Sequence, residues 1–380
     1  MKRFIAAACA AAFFISTGCM AVLPEERNNN AGNSENVAAT EEKKGYVPLN
    51  YPRQVGMWLP YVKFPEYMQG KSEENFRKNV AEILEDAAAE SVNTVYFHVH
   101  PSGDAYYTSD IYPKGAFLDG SYDPLAIVLD EAHKRGISVH AWINPLRMQN
   151  EEQMQAMPDS FIVKKWTDTG MPYVKNVSGI WYLDPAYPET VELLCDTVRE
   201  ITDRYNVDGV HIDDYFYPTT SPDFDSEEFA LSGASDLAAW RSENVNRFVK
   251  KLYDTVKEND ERLLFGISPQ GNIRADYETQ YADVKKWGSE NGFCDYIVPQ
   301  IYYGFENETL PFLPTLEQWT ELVNGSDVSL IIGLAAYKLG REDKWAGSSA
   351  ELEWINDSDI ISKQIAAVSA SEADGYALYY

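Results

Sequence analysis

The chain has 380 residues, of which 45% are hydrophobic, so it can bury one large core or form two domains of ordinary size. The 59 acidic residues exceed the 32 basic ones and set the formal net charge at −27. Because that charge repels phosphate backbones, we expect no nucleic-acid partner. The 25 Tyr and nine Trp are consistent with stacking on sugar rings, although aromatic residues also fill protein cores.

The N-terminus has the pattern of a signal peptide over residues 1–19. A basic start is followed by the apolar run Phe4–Ile15, which is too short to span a bilayer as a stable helix. Gly18-Cys19 resembles the lipobox of bacterial lipoproteins, although Ser16 occupies the place where Leu is usual. We therefore expect lipidation at Cys19 and a lipid-anchored, extracytoplasmic protein of the cell envelope. An ordinary cleaved signal peptide is the alternative.

Residues 20–50 consist largely of Asn, Glu, Ala and Lys, with little bulky apolar content. This composition predicts a disordered tether, because such a segment cannot bury enough surface to fold. The remaining residues, 51–380, are predicted to form one domain.

Short β-rich runs alternate with helical patterns throughout residues 51–380. The predicted strands are Val55–Tyr61, Asn93–Pro101, Gly136–Pro145, Val207–Tyr217, Leu263–Asn272, Cys294–Tyr303, Leu330–Lys338 and Gly375–Tyr380. The alternation predicts an α/β fold, a single (β/α)8 TIM barrel, and the lack of a Gly-rich dinucleotide turn argues against an open sheet. The last strand ends at the last residue, so the final helix is expected to be absent.

Helix signals separate these strands. Ser72 is a predicted N-cap, and Asp123-Pro124 predicts an N-cap with Pro in the first turn. The predicted helices are Ser72–Ser91, Asp123–Arg135, Pro188–Tyr205, Asp236–Glu258, Glu278–Glu290, Leu316–Asn324 and Asp357–Ser369. The long loops 102–122, 146–187 and 218–235 follow strands two, three and four, where this fold builds its substrate cleft.

Polar side chains recur on one parity of the strands. In the fourth strand, His211 and Asp213 alternate with Val210 and Ile212, so the two sets face opposite sides. A barrel interior filled only for packing would carry branched aliphatic residues there. We therefore predict a polar cleft at the C-terminal ends of the strands, formed by His98, His100, His140, Trp142, Asn144, His211, Asp213, Ser268, Gln270, Gln300, Tyr302 and Tyr337.

Two uses of these histidines are possible. His98 and His100, with His140 or Asp213, could bind zinc, but a His-x-His pair is a weak signal by itself. Hydrogen bonding to the hydroxyl groups of a polar ligand is the favoured interpretation, so we expect neither a metal nor another cofactor.

Hydrolysis of a glycosidic bond needs an acid for the leaving oxygen and a second group that meets the developing cation. Asp213 and Asp214 are the predicted catalytic residues, and the rim-loop carboxylates Asp104, Asp184 and Glu306 are second choices. The alternative for Asp214 is a structural one, in which it caps the amides of residues 215–217.

Five sequence runs resemble the glycoside-hydrolase-like family 10 group of bacterial lipoproteins. They are His100–Tyr107, Glu131–Gly136 continuing into His140–Pro145, Trp181–Pro185, Val207–Pro218 and Asp295–Tyr302. The family often has Arg where this chain has His100. The resemblance implies a (β/α)8 glycosidase that acts on peptidoglycan glycan strands stripped of stem peptides.

The expected partners are this polysaccharide and, through the lipid anchor, a membrane, and we expect a monomer. The predicted substrate-binding residues are His98, His100, Asp104, Asn144, Arg147, Asp184, His211, Tyr215, Gln270, Gln300 and Tyr302. Two other functions remain open, a cell-surface carbohydrate-binding lipoprotein on a non-catalytic barrel and a metal-dependent polysaccharide deacetylase.

Two more distant likenesses bear on the catalytic pair. The run Asp208–Asp213 is similar to the strand-four motif of the α-amylase superfamily, whose last Asp is the nucleophile, and this favours Asp213 as nucleophile. The acid of that superfamily, a Glu ending strand five, has no counterpart near Gln270. Tyr215 stands where family-18 chitinases have their catalytic Glu. A substrate-assisted variant stays open, with Asp214 as acid and Asp213 orienting an N-acetyl group.

Overall fold

A computed structural model of the protein describes residues 45–380, and eight parallel strands in it close into a barrel in the order β1-β11-β10-β9-β8-β7-β3-β2. All of the predicted strands are present, and the (β/α)8 fold is confirmed. The barrel strands are β1 (Gln54–Leu59), β2 (Thr94–His100), β3 (Ser138–Ile143), β7 (Gly209–Ile212), β8 (Leu264–Ile267), β9 (Tyr296–Ile297), β10 (Ser329–Leu334) and β11 (Gly375–Leu378).

Helices lie between successive barrel strands. They are α1 (Phe64–Tyr67), α2 (Glu73–Ala89), α3 (Pro124–His133), α4 (Glu151–Ala156), α5 (Ile162–Asp168), α6 (Pro188–Arg204), α7 (Ser226–Ser232), α8 (Leu237–Asn259), α9 (Ile273–Gln280), α10 (Val284–Ser289), α11 (Phe312–Val323), α12 (Glu353–Asn356) and α13 (Ile360–Ala370). Within residues 45–380, no helix follows β11, and none has the length and apolar character needed to cross a membrane.

The helix starts follow from their capping residues. The Ser72 hydroxyl accepts the Asn75 amide N–H at 3.3 Å, and the Asp123 carboxylate accepts the Ala126 amide N–H at 3.0 Å. Both bonds satisfy donors that the first turn of a helix leaves free. One of the predicted helices was wrong. Glu278–Glu290 is not one helix, because Tyr281 has a left-handed backbone (φ 56°) that ends α9, and α10 starts afresh.

The barrel interior is filled mainly by aromatic side chains, with few branched aliphatic ones. Its central cluster consists of Trp58, Tyr96, Trp142, Tyr296, Val298, Ile331 and Ala377. Gly266 on β8 makes room for one of these rings, since a Cβ atom there would lie 1.9 Å from Tyr296. The alternate strand positions point outward into the apolar layer between the strands and the helices, as the parity of the sequence predicted.

A small antiparallel sheet lies in the long segment after β3, which the sequence suggested was a loop. It consists of β4 (Arg147–Asn150), β5 (Val174–Val177) and β6 (Ile180–Leu183), in the order β4-β6-β5. Because this segment follows the C-terminal end of a barrel strand, the sheet rises from the rim where the fold places its clefts. Arg147 is its first residue.

The predicted signal peptide, with Cys19, and residues 20–44 of the expected tether lie outside the described residues. The last residues of that tether are bound to the barrel instead of extending away from it. The buried carboxylate of Asp208 accepts hydrogen bonds from the Leu49 amide N–H at 2.6 Å, the Val139 amide N–H at 2.7 Å and the Tyr46 hydroxyl. The folded domain therefore includes residues 45–50.

Candidate active site

Asp213 and Asp214 directly follow β7, at the C-terminal end of the barrel. Asp213 is buried, at 3% exposure, and its Oδ1 atom has no hydrogen-bond partner within residues 45–380. Asp214 is half-buried. A buried carboxyl oxygen without a partner calls for an explanation, and a catalytic role is one of the recognised explanations.

The two carboxyl groups resist ionisation. Burial raises the pKa of Asp213 well above its usual range, and the neighbouring charge of Asp214 adds to the shift. Burial also raises the pKa of Asp214, against the amides of Gln300 and Gln280, which lower it. Burial and the neighbouring charge therefore both favour a protonated form for Asp213.

One wall of the cleft is built on β2 and β3. The rings of His98 and Trp142 stack with centroids 3.6 Å apart, and His98 Nε2 lies 3.1 Å from the Asn144 side-chain oxygen. Asn144 also donates to the Pro101 carbonyl at 2.8 Å, so both ends of its amide are engaged. His98 Nδ1 lacks a partner among the described residues, which leaves it free for a ligand, whereas the Trp142 side chain lies close enough to Asp213 to lower the pKa of that carboxyl.

Arg147 and Tyr215 form a pair at the rim. The Arg147 guanidinium lies over the Tyr215 ring, 5.4 Å from its centroid. Burial raises the pKa of Tyr215, and the charges of Asp213 and Asp214 raise it further, which places the pair beside the two carboxyls. The Nε atom of Arg147 has no hydrogen-bond partner within the described chain.

The opposite wall comes from the segments after β8 and β9. The Gln300 side chain donates to the Ser268 carbonyl at 3.1 Å, and Gln270 bridges to Gln300 through the backbone. The Tyr302 ring lies 6.0 Å from the rings of both Tyr337 and Tyr379. Burial raises the pKa of Tyr379 to about 12, and the charge of Asp213 contributes, so this wall faces the carboxyl pair.

A third carboxyl, Asp276, was missed from the sequence. It is fully buried in the first turn of α9, its Oδ1 accepts the Gln270 amide N–H at 3.1 Å, and its Oδ2 has no partner in residues 45–380. Burial raises the pKa of Asp276 to about 9, with a contribution from the charge of Asp214. The available signal in the sequence is an acid four residues after the end of the predicted fifth strand, Leu263–Asn272.

His211, a predicted substrate-binding residue, is instead a core residue of the barrel. It is fully buried, Nε2 accepts the Trp58 indole N–H at 3.2 Å, and Nδ1 lies 3.1 Å from the Tyr296 hydroxyl. His140 binds the same hydroxyl at 2.6 Å. Burial holds the pKa of His211 well below its usual value, so the ring is neutral. Both histidines satisfy polar groups beneath the cleft.

His100 and Asp104 also differ from the prediction. A bulge in β2 shifts the register, so that His98 pairs with Trp142 but His100 pairs with Ile143, whose side chain points away from the barrel interior. His100 packs on Tyr112 at 4.1 Å between ring centroids, and its Nδ1 lies 2.8 Å from the Asp104 carbonyl. The Asp104 carboxylate accepts the Ser102 amide N–H at 3.0 Å and so stabilises its own loop.

Asp184 is occupied by structural contacts. It is fully buried, lies 2.8 Å from Lys175 Nζ and accepts the Ala186 amide N–H at 2.9 Å. It thereby links β5 to the start of α6. Within residues 45–380, no three His, Cys, Asp or Glu side chains are grouped as metal ligands, since the histidines of the zinc alternative point into different layers.

Comparisons with known proteins agree with this geometry. The sequence profile described as Glycosyl hydrolase-like 10 matches residues 54–347. Glycosyl hydrolase DigH of Escherichia coli (strain K12) is 34% identical over 288 residues, covering 67% of this chain and 64% of DigH. Glycosyl hydrolase YngK of Bacillus subtilis (strain 168) is 31% identical over 299 residues, covering 71% of this chain and 58% of YngK.

The chain thus spans less than two thirds of the length of either curated relative. Among solved structures, the glycoside hydrolase domain of PgaB (BpsB) from Bordetella bronchiseptica is similar, with a TM-score of 0.59 at 14% identity, over 86% of this chain and 93% of that one. At this identity the likeness concerns the fold. The match over residues 54–347 and the two relatives show that the chain belongs to the glycosyl hydrolase-like 10 family.

Proposed function

We propose that the protein is a glycoside hydrolase and that Asp213 and Asp214 are its catalytic pair. One observation carries the proposal: a buried carboxyl oxygen without a partner, Asp213 Oδ1, lies beside a second carboxyl at the C-terminal end of a barrel strand. Glycosidic bonds are hydrolysed by pairs of carboxyl groups with different protonation states. Family membership supports the same chemistry.

The two acids have different environments, which favours different roles. Asp213 is the more buried, so it holds the proton in the resting enzyme and donates it to the glycosidic oxygen as the C–O bond breaks. Asp214 is more open, and the amides of Gln300 and Gln280 favour its anionic form. The Asp214 carboxylate stabilises the positive charge that develops at the anomeric carbon as the bond breaks. These roles replace the expectation of Asp213 as nucleophile.

We propose peptidoglycan glycan, free of stem peptides, as the substrate. Removal of the stem peptide exposes a carboxylate on every second sugar. Arg147 offers a guanidinium at the rim whose Nε atom lacks a partner, in a protein of net charge −27 that otherwise repels anions. The tyrosines and Trp142 along the cleft supply faces on which sugar rings can pack.

The leaving group provides the sharpest test of the roles. Asp213→Asn is expected to lower kcat/KM on peptide-free glycan strands by about a thousandfold. On a glycoside whose leaving group is a dinitrophenolate the loss should be small, because that group departs without a proton. Asp214→Asn should impair both substrates alike. Equal losses for the two variants on both substrates would contradict the assignment.

The same variants address a carbohydrate-binding function without catalysis. In that case the wild-type protein would bind peptide-free glycan strands and release no product, and both Asn variants would bind as well as wild type. The enzyme hypothesis instead requires product formation by wild type and intact binding by at least one Asn variant.

We also propose that the protein is anchored in the cell envelope through acylated Cys19, which the lipobox-like Gly18-Cys19 supports. Cys19→Ser should then move the protein from the membrane fraction to the soluble fraction. An unchanged distribution would argue for another mode of attachment.

A further inference from the structure

Trp345 lies on the loop of residues 339–352, which follows β10 and the short helical turn Ala336–Lys338. Its side chain is 91% exposed, more than the 38% of Tyr215 at the cleft rim. Single exposed apolar residues are common and need no explanation by themselves. The backbone around Trp345, however, is held in place, and this makes its exposure informative.

Both flanks of Trp345 are fixed. The buried carboxylate of Asp343 lies 2.7 Å from Lys338 Nζ, and the Ala346 amide N–H donates to the Asp343 carbonyl at 2.9 Å. On the other side, the Glu308 amide N–H donates to the Ala346 carbonyl at 2.8 Å. Because the backbone on both sides of Trp345 is held by hydrogen bonds, a ligand that packs on the indole need not order the loop first.

The loop is also joined to the wall of the candidate active site. Lys338 Nζ binds Asp343 and donates to the Tyr302 carbonyl at 2.8 Å. The Tyr302 ring in turn packs at 6.0 Å from Tyr379, whose phenol is close enough to Asp213 for that charge to raise its pKa. Direct contacts therefore join the Trp345 loop to the wall of Tyr302 and Tyr379, which faces the carboxyl pair.

We propose that Trp345 is a sugar-stacking residue, on which a pyranose ring of the bound glycan packs beyond the units held at Asp213. This proposal rests on the proposed function and deepens it. The flat apolar face of a sugar ring matches an indole, and the contact requires no charge on either side. The substrate would then be a polymer long enough to reach from the carboxyl pair across the rim.

Glycan length provides the test. Peptide-free peptidoglycan oligosaccharides of increasing length, from disaccharides upward, would be titrated against the Asp213→Asn protein with and without Trp345→Ala. The expected result is equal affinity for the shortest oligosaccharides and about fivefold to tenfold weaker binding of the long ones. Trp345→Phe should recover most of the loss. Leu231→Ala, at an 88% exposed position on α7, is the matched control and should change nothing.

Each outcome has a definite meaning. If the Asp213→Asn protein shows length-dependent affinity that Trp345→Ala leaves intact, the stacking role is overturned while the glycosidase proposal stands. If no variant binds and the wild-type protein cuts none of the oligosaccharides, both proposals fail. If Trp345→Ala instead reduces binding to vesicles of anionic lipid, with glycan affinity unchanged, the indole contacts membrane and the stacking role is likewise overturned.

Discussion

The guanidinium of Arg147 lies 5.4 Å from the centre of the Tyr215 ring, at the rim where Asp213 and Asp214 follow the fourth barrel strand, β7. The ring restrains the guanidinium by a cation–π contact, while Nε keeps an unused donor. Because Arg147 is positively charged, it can bind an anionic substituent of the substrate. Asp213 and Asp214, whose pKa values are raised, remain available to hold the catalytic proton.

Arg147→Ala should therefore weaken the recognition of carboxylate-bearing glycan. We expect kcat/KM to fall about tenfold on peptide-free glycan strands, and to change little on strands whose carboxylates have been reduced to alcohols. Arg199→Ala removes an exposed guanidinium that pairs on α6 and is the control. An equal loss on both substrates would mean that Arg147 only supports Tyr215.

His98 and His100 form a matched pair of histidines that the bulge in β2 separates. His98 stacks on Trp142 in the cleft, whereas His100 packs on Tyr112 outside the barrel interior. His98→Ala should raise KM for the glycan, because it removes a cleft side chain with a free Nδ1 donor or acceptor. His100→Ala should leave KM unchanged and lower the free energy of unfolding by about 2 kcal/mol. Kinetics and urea denaturation of both variants would check this, and a reversed pattern would contradict the register.

The positions of His98, His100 and Asp213 show which features of the fold the sequence specifies and which it does not. Alternating parity correctly predicted eight strands and the inward direction of His98 and Asp213, because the side-chain period of a strand is fixed. A bulge between His98 and His100 then turns the His100 side chain to the opposite face of the strand. The sequence pattern does not predict such a bulge.

The sequence also did not predict how deep in the barrel each inward side chain lies. His211 and Asp213 share one parity, yet one lies in the closed interior and the other at the mouth, since strand ends are set by packing. Asp276 was missed because a helix turn, not a strand, carries it beneath Gln270. Long-range placement of this kind follows from tertiary structure alone.

His211 should prove structural in experiment. Its Nε2 accepts the Trp58 indole N–H and its Nδ1 contacts the Tyr296 hydroxyl, so His211→Phe leaves the buried indole N–H unsatisfied and the hydroxyl with His140 as its remaining partner. We expect the free energy of unfolding to fall by about 2–4 kcal/mol, with KM for the remaining folded enzyme unchanged. Unchanged stability together with lost glycan affinity would restore His211 to the substrate-binding residues.

Asp276 gives the clearest dependence on pH. Burial raises its pKa to about 9 in the folded protein, far above the value of about 3.9 expected for an unfolded chain. Below pH 4 the carboxyl is protonated in both states, and its contribution to stability is fully present. As the pH rises toward 9, the unfolded state releases the proton and the folded state keeps it, so that contribution is lost.

Asp276→Asn removes this titration, while its amide oxygen can still accept the Gln270 N–H. The variant should therefore gain stability relative to wild type as the pH rises from 4 to 8, by an amount on the order of 5 kcal/mol. Urea denaturation of both proteins at several pH values would measure the difference, with Asp254→Asn on the exposed face of α8 as control. A difference that stays constant with pH would mean that Asp276 is ionised in the folded protein, and that a positive group or a ligand must then balance its charge.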